Sequence, residues 1–365
     1  MASLPREPDE FSPPSGAPDA AAWDALARNA AEPNAFFERW FLEPGLRHFD
    51  DGRAQLLPVR EDERLLGLLP VIRGFDYYGY PVPCIATWLH PNAFCGAPLV
   101  EAGAEQAFWR ALFAWADANC GNALFLHLPL LPAEGPLVDA LRRVRGRRDI
   151  LVVRQEERAI LRCGPSAVKH YEAALPNKKR KELRRQRNRL AELGELTVER
   201  LAGDERLPEW TSEFLALERR GWKGAAGSAL ACDPRTEALF RDTLAGAAGA
   251  NRLERLALRL DGRAIAMLVN FLTPPGAFAF KTAFDENYAR YSPGVLLQCE
   301  NLALLERDGL DWCDSCAAPD HPMIERLWRD RRRMVSLNIA IGGPLRRAAF
   351  RAFERAETTV PLEEL

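Results

Sequence analysis

Apolar positions recur along this chain in two series of the same order. In the first, residues 20–30 and 34–41 carry apolar side chains at helical spacing, and extended runs at 54–60 and 65–72 flank a polar turn at 61–63. A further extended run at 96–100 precedes a helix over 104–118, supported by Phe108, Leu112, Trp115 and Ala116, and an apolar strand over 123–128. The second series is plainer. Strands at 253–260 and 264–271 flank Asp261-Gly262, a pair that tolerates positive φ and so suits a two-residue hairpin. Thr273-Pro-Pro-Gly276 then turns the chain into a strand at 278–284, where Phe278 and Phe280 face one way and Ala279 and Lys281 the other. An apolar helix over 295–307, closed by Asp308-Gly309, leads to a strand at 310–316 and a short helix at 323–328.

Three antiparallel strands, a helix and a further strand form the core order of an acyltransferase fold. Its double occurrence predicts an α/β (α+β) chain of two tandem domains, each a mixed, mainly antiparallel sheet flanked by helices. The charged run 154–158 separates two apolar stretches and places the boundary near Arg158, giving domains at 20–158 and 159–350. Residues 1–19, rich in Pro, Ser and acids, lack the basic and apolar regions of a secretory signal and read as a disordered leader; 351–365 reads as a tail. No stretch approaches the roughly 18 apolar residues that a membrane span needs. A cytoplasmic location is the expectation.

Composition narrows the function classes. With 49 Lys+Arg against 51 Asp+Glu and a net charge of −2, the chain lacks the basic excess of a protein devoted to nucleic acid. Only six of those cations are lysines, which gives weight to the isolated Lys223 and Lys281. The eight cysteines sit mostly inside apolar runs, and Cys313-Asp-Ser-Cys316 has no second pair to complete a ligand set, so no metal is expected.

Five segments carry candidate chemistry. Residues 177–189 hold eight cations and one acid, with Leu175, Leu183, Leu190 and Leu193 as a thin apolar stripe. This helix reads as a solvated face, as a platform for phosphate or another anion, or, lacking aromatics for stacking, less readily as a nucleic-acid element. In Glu218-Arg-Arg-Gly-Trp-Lys-Gly224, a helix ends at Gly221 as C-cap, and Trp222 and Lys223 fall in a glycine-flanked loop suited to lining a site. The third segment runs from Lys281 through Asp285, Tyr288, Arg290 and Tyr291 to Ser292-Pro-Gly-Val-Leu296. Here Ser292 is the expected N-cap and Pro293 opens the helix. The N–H groups of Gly294, Val295 and Leu296 would make an anion site, with Arg290 alongside. Asp314, at a strand end facing that helix, suits a general base, and His321 reads as a cap or loop residue. Arg331 and Arg332, in a Trp328-led arginine cluster, suit bidentate binding of phosphate or sugar acid.

Taken together, Glu218-x3-Trp-Lys-Gly, the hairpin, Lys281-x3-Asp-x2-Tyr-x2-Tyr-Ser-Pro-Gly-x-Leu-Leu, Gly309-x4-Asp314 and Trp328-x-Asp-Arg-Arg resemble the CelD-like acetyltransferases of the GNAT superfamily, linked to cellulose or other exopolysaccharide synthesis. The pattern covers about residues 159–341, and Trp23, Asn34-Ala-Phe-Phe and Phe94-Cys-Gly-Ala-Pro-Leu99 extend it. The layout is also similar to the FemAB-type transferases, which carry two GNAT-like domains and use aminoacyl-tRNA donors. Some holdfast-associated relatives respond to a cyclic dinucleotide.

The resemblance implies an N-acetyltransferase with acetyl-CoA, or another acyl-CoA, as co-substrate, held at Arg290 and residues 292–296. The family's usual Q/R-x-x-G-x-G/A signature is displaced here, which keeps another acyl donor open. The implied acceptor is an amine on an amino sugar or envelope-polysaccharide precursor, entering near Glu218, Trp222, Lys223 and Lys281, with peripheral association with polysaccharide machinery. Glu218 or Asp314 would take the proton, and Tyr288 or Tyr291 would help stabilise the oxyanion. Lys281 belongs to the implied catalytic set, and Trp222, Lys223, Asp285, Tyr288, Arg331 and Arg332 to the substrate-binding set.

Overall fold

Asp19 starts the first helix, α1 (Ala20–Arg28), by accepting the N–H groups of Ala21 and Ala22 in a computed structural model that describes residues 17–164, 166–319, 321–354 and 360–361. The expected leader therefore lies almost wholly outside the described residues. A 3-10 turn (Ala35–Phe37) and α2 (Arg39–Phe49) follow, and then β1 (Gln55–Glu61) and β2 (Arg64–Gly74) pair as an antiparallel hairpin. Next come β3 (Cys84–Thr87), the two-residue β4 (Leu99–Val100), α3 (Glu105–Ala118), β5 (Phe125–Pro132), α4 (Pro136–Val144) and β6 (Ile150–Arg162). Both β3 and β4 run antiparallel to β2, whereas β3 and β5 are parallel. Trp109 and Phe108 of α3, wholly buried, fix that helix to its unit.

The chain divides into two units, Met1–Arg154 with Ser336–Leu365, and Gln155–Val335, the first division falling within β6. In the second unit α5 (Ala167–Ala174), the basic helix α6 (Asn177–Ala191), β7 (Leu196–Ala202), α7 (Leu207–Arg220), the single turn α8 (Trp222–Ala225) and α9 (Pro234–Gly249) precede a meander. That meander is β8 (Leu253–Leu260), β9 (Arg263–Thr273) and β10 (Gly276–Phe284). Asp261 and Gly262 connect β8 to β9 with φ of 48° and 76°, the left-handed geometry the dipeptide suits. A 3-10 segment (Glu286–Tyr291), α10 (Pro293–Asn301), β11 (Trp312–Asp314) and β12 (Asp330–Ala340) complete the series. The strand order is β6-β11-β10-β9-β8-β7, with only β10 and β11 parallel.

Each unit is thus a mixed, mainly antiparallel sheet flanked by helices, as the two hydrophobic series predict. Several boundaries differ. α10 ends at Asn301, whose amide oxygen turns inward to Asn270 Nδ2 at 2.7 Å, and the chain continues as a 3-10 turn (Leu302–Glu306). The expected helix at 323–328 is a run of turns. β11 stops at Asp314 because that carboxylate accepts the N–H of Cys316, which takes a left-handed φ of 52°. Residues 336–350 leave the C-terminal unit, which ends at Val335 and not at 350. The cause is apolar packing: Ala340, in β12, and Phe350 of α11 (Pro344–Glu354) are buried with Tyr77, Cys84 and Phe125. The last strand, β13 (Val360–Pro361), pairs with Leu151 and Val152, while 355–359 and 362–365 of the expected tail lie outside the described residues.

Candidate active site in the C-terminal unit

The parallel pair β10 and β11 holds together only across Gly276–Phe278 and Trp312–Asp314. Beyond Phe278, β10 runs six residues further bonded to β9 alone, so its free edge opens beside the N-terminus of α10. The β10–β9 register also shifts between Ala279 and Lys281, which face Asn270 and Val269 in turn. This bulge at Phe280 puts Lys281 on the opposite face from Ala279, not on the shared face that strict alternation predicts.

Lys281 meets three other groups there. Its Nζ stands 5.2 Å from the Phe280 ring centroid, and burial, reinforced by the Lys223 ammonium, lowers its pKa to about 8, with Glu218 and Cys316 opposing the shift. Lys223 Nζ donates to Glu218 Oε1 at 2.7 Å and to the Thr282 carbonyl at 3.3 Å. The other oxygen of Glu218 accepts the Leu230 N–H at 2.8 Å, so this buried carboxylate is occupied on both sides. His321 joins the same neighbourhood: burial and the Lys223 charge lower its pKa against the opposing Glu325. Trp222 is 58% exposed, and its N–H donates to Glu286 Oε1 at 2.6 Å. Gly221 ends α7 in extended backbone (φ −85°, ψ −172°), not as a left-handed cap. The critical glycine is Gly224, where a Cβ would lie 1.8 Å from the Arg219 carbonyl oxygen.

The junction at 290–296 is partly as expected. Ser292 sits at φ 54° and makes no side-chain cap, because its own backbone carries the turn: its N–H reaches Ala289 and its carbonyl accepts from Leu296. Leu296 is therefore not a free donor. Pro293 has no N–H, and those of Gly294 and Val295 have no protein acceptor among the described residues. They border a cavity of about 280 Å³ that Lys179, Phe284, Met323 and Arg326 also line. A Cβ on Gly294 would come within 2.6 Å of Met323 Sδ. A second cavity of about 440 Å³ shares Lys179 and Arg326 and adds Arg329 and Arg331. Arg290 is not among the residues lining the cavity beside Gly294, and its guanidinium stands 4.8 Å from the Tyr291 ring centroid. Tyr291 is buried in the apolar core, against which Tyr288 packs half-buried.

Three expected site residues are used structurally. Asp314 has no exposed surface; it receives Arg332 Nη1 at 3.2 Å, with Arg158 Nη1 at 3.8 Å. Arg332 is buried with it, 4.2 Å from the Trp312 ring centroid. Asp285 caps the 3-10 segment by accepting from Asn287 and pairs with Arg263 at 3.2 Å. Arg331 lines the second cavity, its guanidinium bonded to Glu325. Lys179 and Arg326 are not singled out by their sequence context as cavity residues, since one sits inside a longer cationic run and the other in a run of turns.

Sequence comparison bears on this unit directly. Residues 177–321 match the acetyltransferase (GNAT) domain family, Acetyltransf_6. The matched segment runs from α6 to His321 and so contains the β10–α10 junction and Lys281. Among curated proteins, none matches the chain. Solved structures extend the likeness to the whole fold. The structure of FemX superposes with a TM-score of 0.58 at 9% identity, covering 92% of this chain and 99% of its own. A conserved protein of unknown function from Bacteroides thetaiotaomicron VPI-5482 gives 0.56 at 11%, over 88% and 97%. The C-terminal domain of a putative lysylphosphatidylglycerol synthetase from Agrobacterium fabrum gives 0.54 at 15%, over 92% and 97%. At such identities the shared property is the fold. No described helix is long and apolar enough to cross a membrane.

Proposed function

We propose that the C-terminal unit is a CelD-like N-acyltransferase that uses acetyl-CoA or another acyl-CoA to acylate an amine. The acceptor class implied by the sequence resemblance is an amino sugar or envelope-polysaccharide precursor, handled in association with polysaccharide machinery. The observation that carries the reading is the split of β10 from β11 beside two unpartnered N–H groups, Gly294 and Val295, that open into a cationic cavity. The donor set fits the group: amides and the helix dipole suit a pyrophosphate, and Lys179, Arg326, Arg329 and Arg331 offer cations to a further phosphate.

Acyl-CoA supplies an activated thioester carbonyl when bound. The chain's part is to hold the phosphates at 294–295, keep the acyl end along the free edge of β10, and take a proton. Lys281 is the proton acceptor, since its lowered pKa leaves a neutral amine available near pH 8. Glu218 is a positioning residue: occupied on both oxygens, it anchors Lys223, whose charge adds to burial in lowering the Lys281 pKa.

The test is calorimetry with acetyl-CoA, aminoacyl-tRNA and a cyclic dinucleotide, coupled to thiol release with amino-sugar acceptors. Acetyl-CoA binding that weakens at least tenfold in Lys179→Glu and Arg326→Glu, with thiol release, supports the proposal. Binding of charged tRNA alone would support the FemAB-like reading, and of cyclic dinucleotide alone, without turnover, a sensor or scaffold.

A further inference from the structure

The opposite flank of α6 borders a cavity of about 480 Å³ to which nothing above gives a role. Its walls are α5, α6 and α10. The floor is apolar, made by Ala167, Tyr171, Leu183, Leu296, Cys299 and Leu302. Burial pushes the Cys299 thiol up to about 12, so that wall is uncharged. The mouth is cationic. Arg180 and Arg187 are satisfied by Glu172 (3.1 Å) and Glu300, but Lys181 and Arg184 have no carboxylate partner among the described residues. The Tyr171 hydroxyl has no hydrogen-bond partner there either, and the charges that act on it include Arg180 and Arg184. Above this mouth Val168 stands 66% exposed.

The size falls within the range of ligand sites, and the chemistry is divided in two: an apolar floor and convergent donors of one sign. A purely apolar ligand would leave Arg184 and Lys181 unused, and a free anion would leave the floor wet. We propose that this cavity binds an anionic amphiphile, with a single alkyl chain on the Leu183–Leu296–Leu302 floor and a phosphate monoester held by Arg184, Lys181 and the Tyr171 hydroxyl. The three phosphate oxygens match three donor groups, whereas a carboxylate offers only two. The site shares Leu183 alone with the cavity beside Gly294, so it is independent of the acyl-CoA reading.

The experiment titrates the full chain with inorganic phosphate and with octyl, decyl and dodecyl phosphate below their micellar concentrations, by calorimetry and thermal midpoint. Affinity is expected to rise about fourfold per added methylene while the chain remains on the floor. The midpoint should rise too, as it does for a ligand that prefers the native state. Arg184→Glu and Lys181→Glu should each weaken dodecyl phosphate at least tenfold while leaving acetyl-CoA binding unchanged; both side chains are exposed, so folding is not at issue. Vesicles of phosphatidylcholine with phosphatidic acid separate the sources. Sedimentation with vesicles that Arg184→Glu abolishes assigns a bilayer lipid, and binding of monomers without sedimentation assigns a free amphiphile. Affinity independent of chain length, or unchanged in both variants, overturns the proposal.

Discussion

Asp314 separates a structural account of this unit from a catalytic one. Replacing it by alanine removes a carboxylate with no exposed surface that receives Arg332 at 3.2 Å, Arg158 at 3.8 Å and the Cys316 N–H at 2.9 Å. Arg158 keeps Glu156 at 3.1 Å, and Arg332 loses this buried carboxylate while it stays 4.2 Å from the Trp312 ring centroid. Breaking a buried ion pair by removing its carboxylate costs about 3–5 kcal/mol. With a urea dependence of about 2 kcal/mol per molar, the unfolding midpoint should fall by about 2 M. Intrinsic tryptophan fluorescence follows it, since Trp23, Trp109, Trp210 and Trp328 are buried in the folded chain. Asp314→Leu combined with Arg332→Met should recover most of the loss, because both charges leave together. A midpoint within about half a molar of the wild type, accompanied by loss of acyl transfer, would refute this and return Asp314 to the role of proton acceptor.

Three further outcomes are expected. As pH rises towards about 8, kcat/KM should climb while Lys281 loses its proton, and Lys281→Met should cut turnover by about 10²–10⁴ and erase that limb; the same limb in the variant would assign the titration elsewhere. Burial lowers the His127 pKa from 6.5 to about 4 although its Nδ1 bonds Asn338 Oδ1 at 2.8 Å, so the unfolded chain binds more protons in that window and stability should fall as pH drops through it. His127→Gln should show a smaller loss of midpoint between pH 7 and 4.5; an equal loss would remove His127 as the cause. Gly224→Ala sets a Cβ 1.8 Å from the Arg219 carbonyl oxygen and should displace Lys223, raising KM for the acceptor and shifting the Lys281 limb upward as its neighbouring charge moves off. Unchanged pH dependence would contradict the coupling of these two lysines.

The meander was legible because its signals are local. Alternation and Asp261-Gly262 specify β8 and β9 to within two or three residues, and the basic run specifies α6. Long-range packing decided the rest. Nothing near Phe350 announces that it packs beside Phe125, and nothing near Asp314 announces Arg158 or Arg332 across another strand. Ser292-Pro293-Gly294 correctly marked a helix start, yet the cap is made by backbone and not by the serine hydroxyl. The bulge at Phe280 could not be read from alternation either, and it sets the face of β10 on which Lys281 lies.

The basic helix concentrates cations on two faces of a nearly neutral chain. Its positions 180, 184 and 187 fall on one stripe at helical spacing and face the 480 Å³ cavity, while Lys179 and Leu183 reach the cavity beside Gly294. Lys178, Arg185 and Arg189 point to solvent. Under the two proposals the solvated-face and anion-platform readings would apply to different residues of one helix, with Leu183 and Leu190 buried as the seam that fixes its rotation. If that rotation is right, charge reversal at residue 179 should weaken acetyl-CoA and spare dodecyl phosphate, and reversal at residue 184 should do the converse. Equal effects of both variants on both ligands would mean that α6 acts only through its summed charge, and in that case the losses should vanish together as salt is raised.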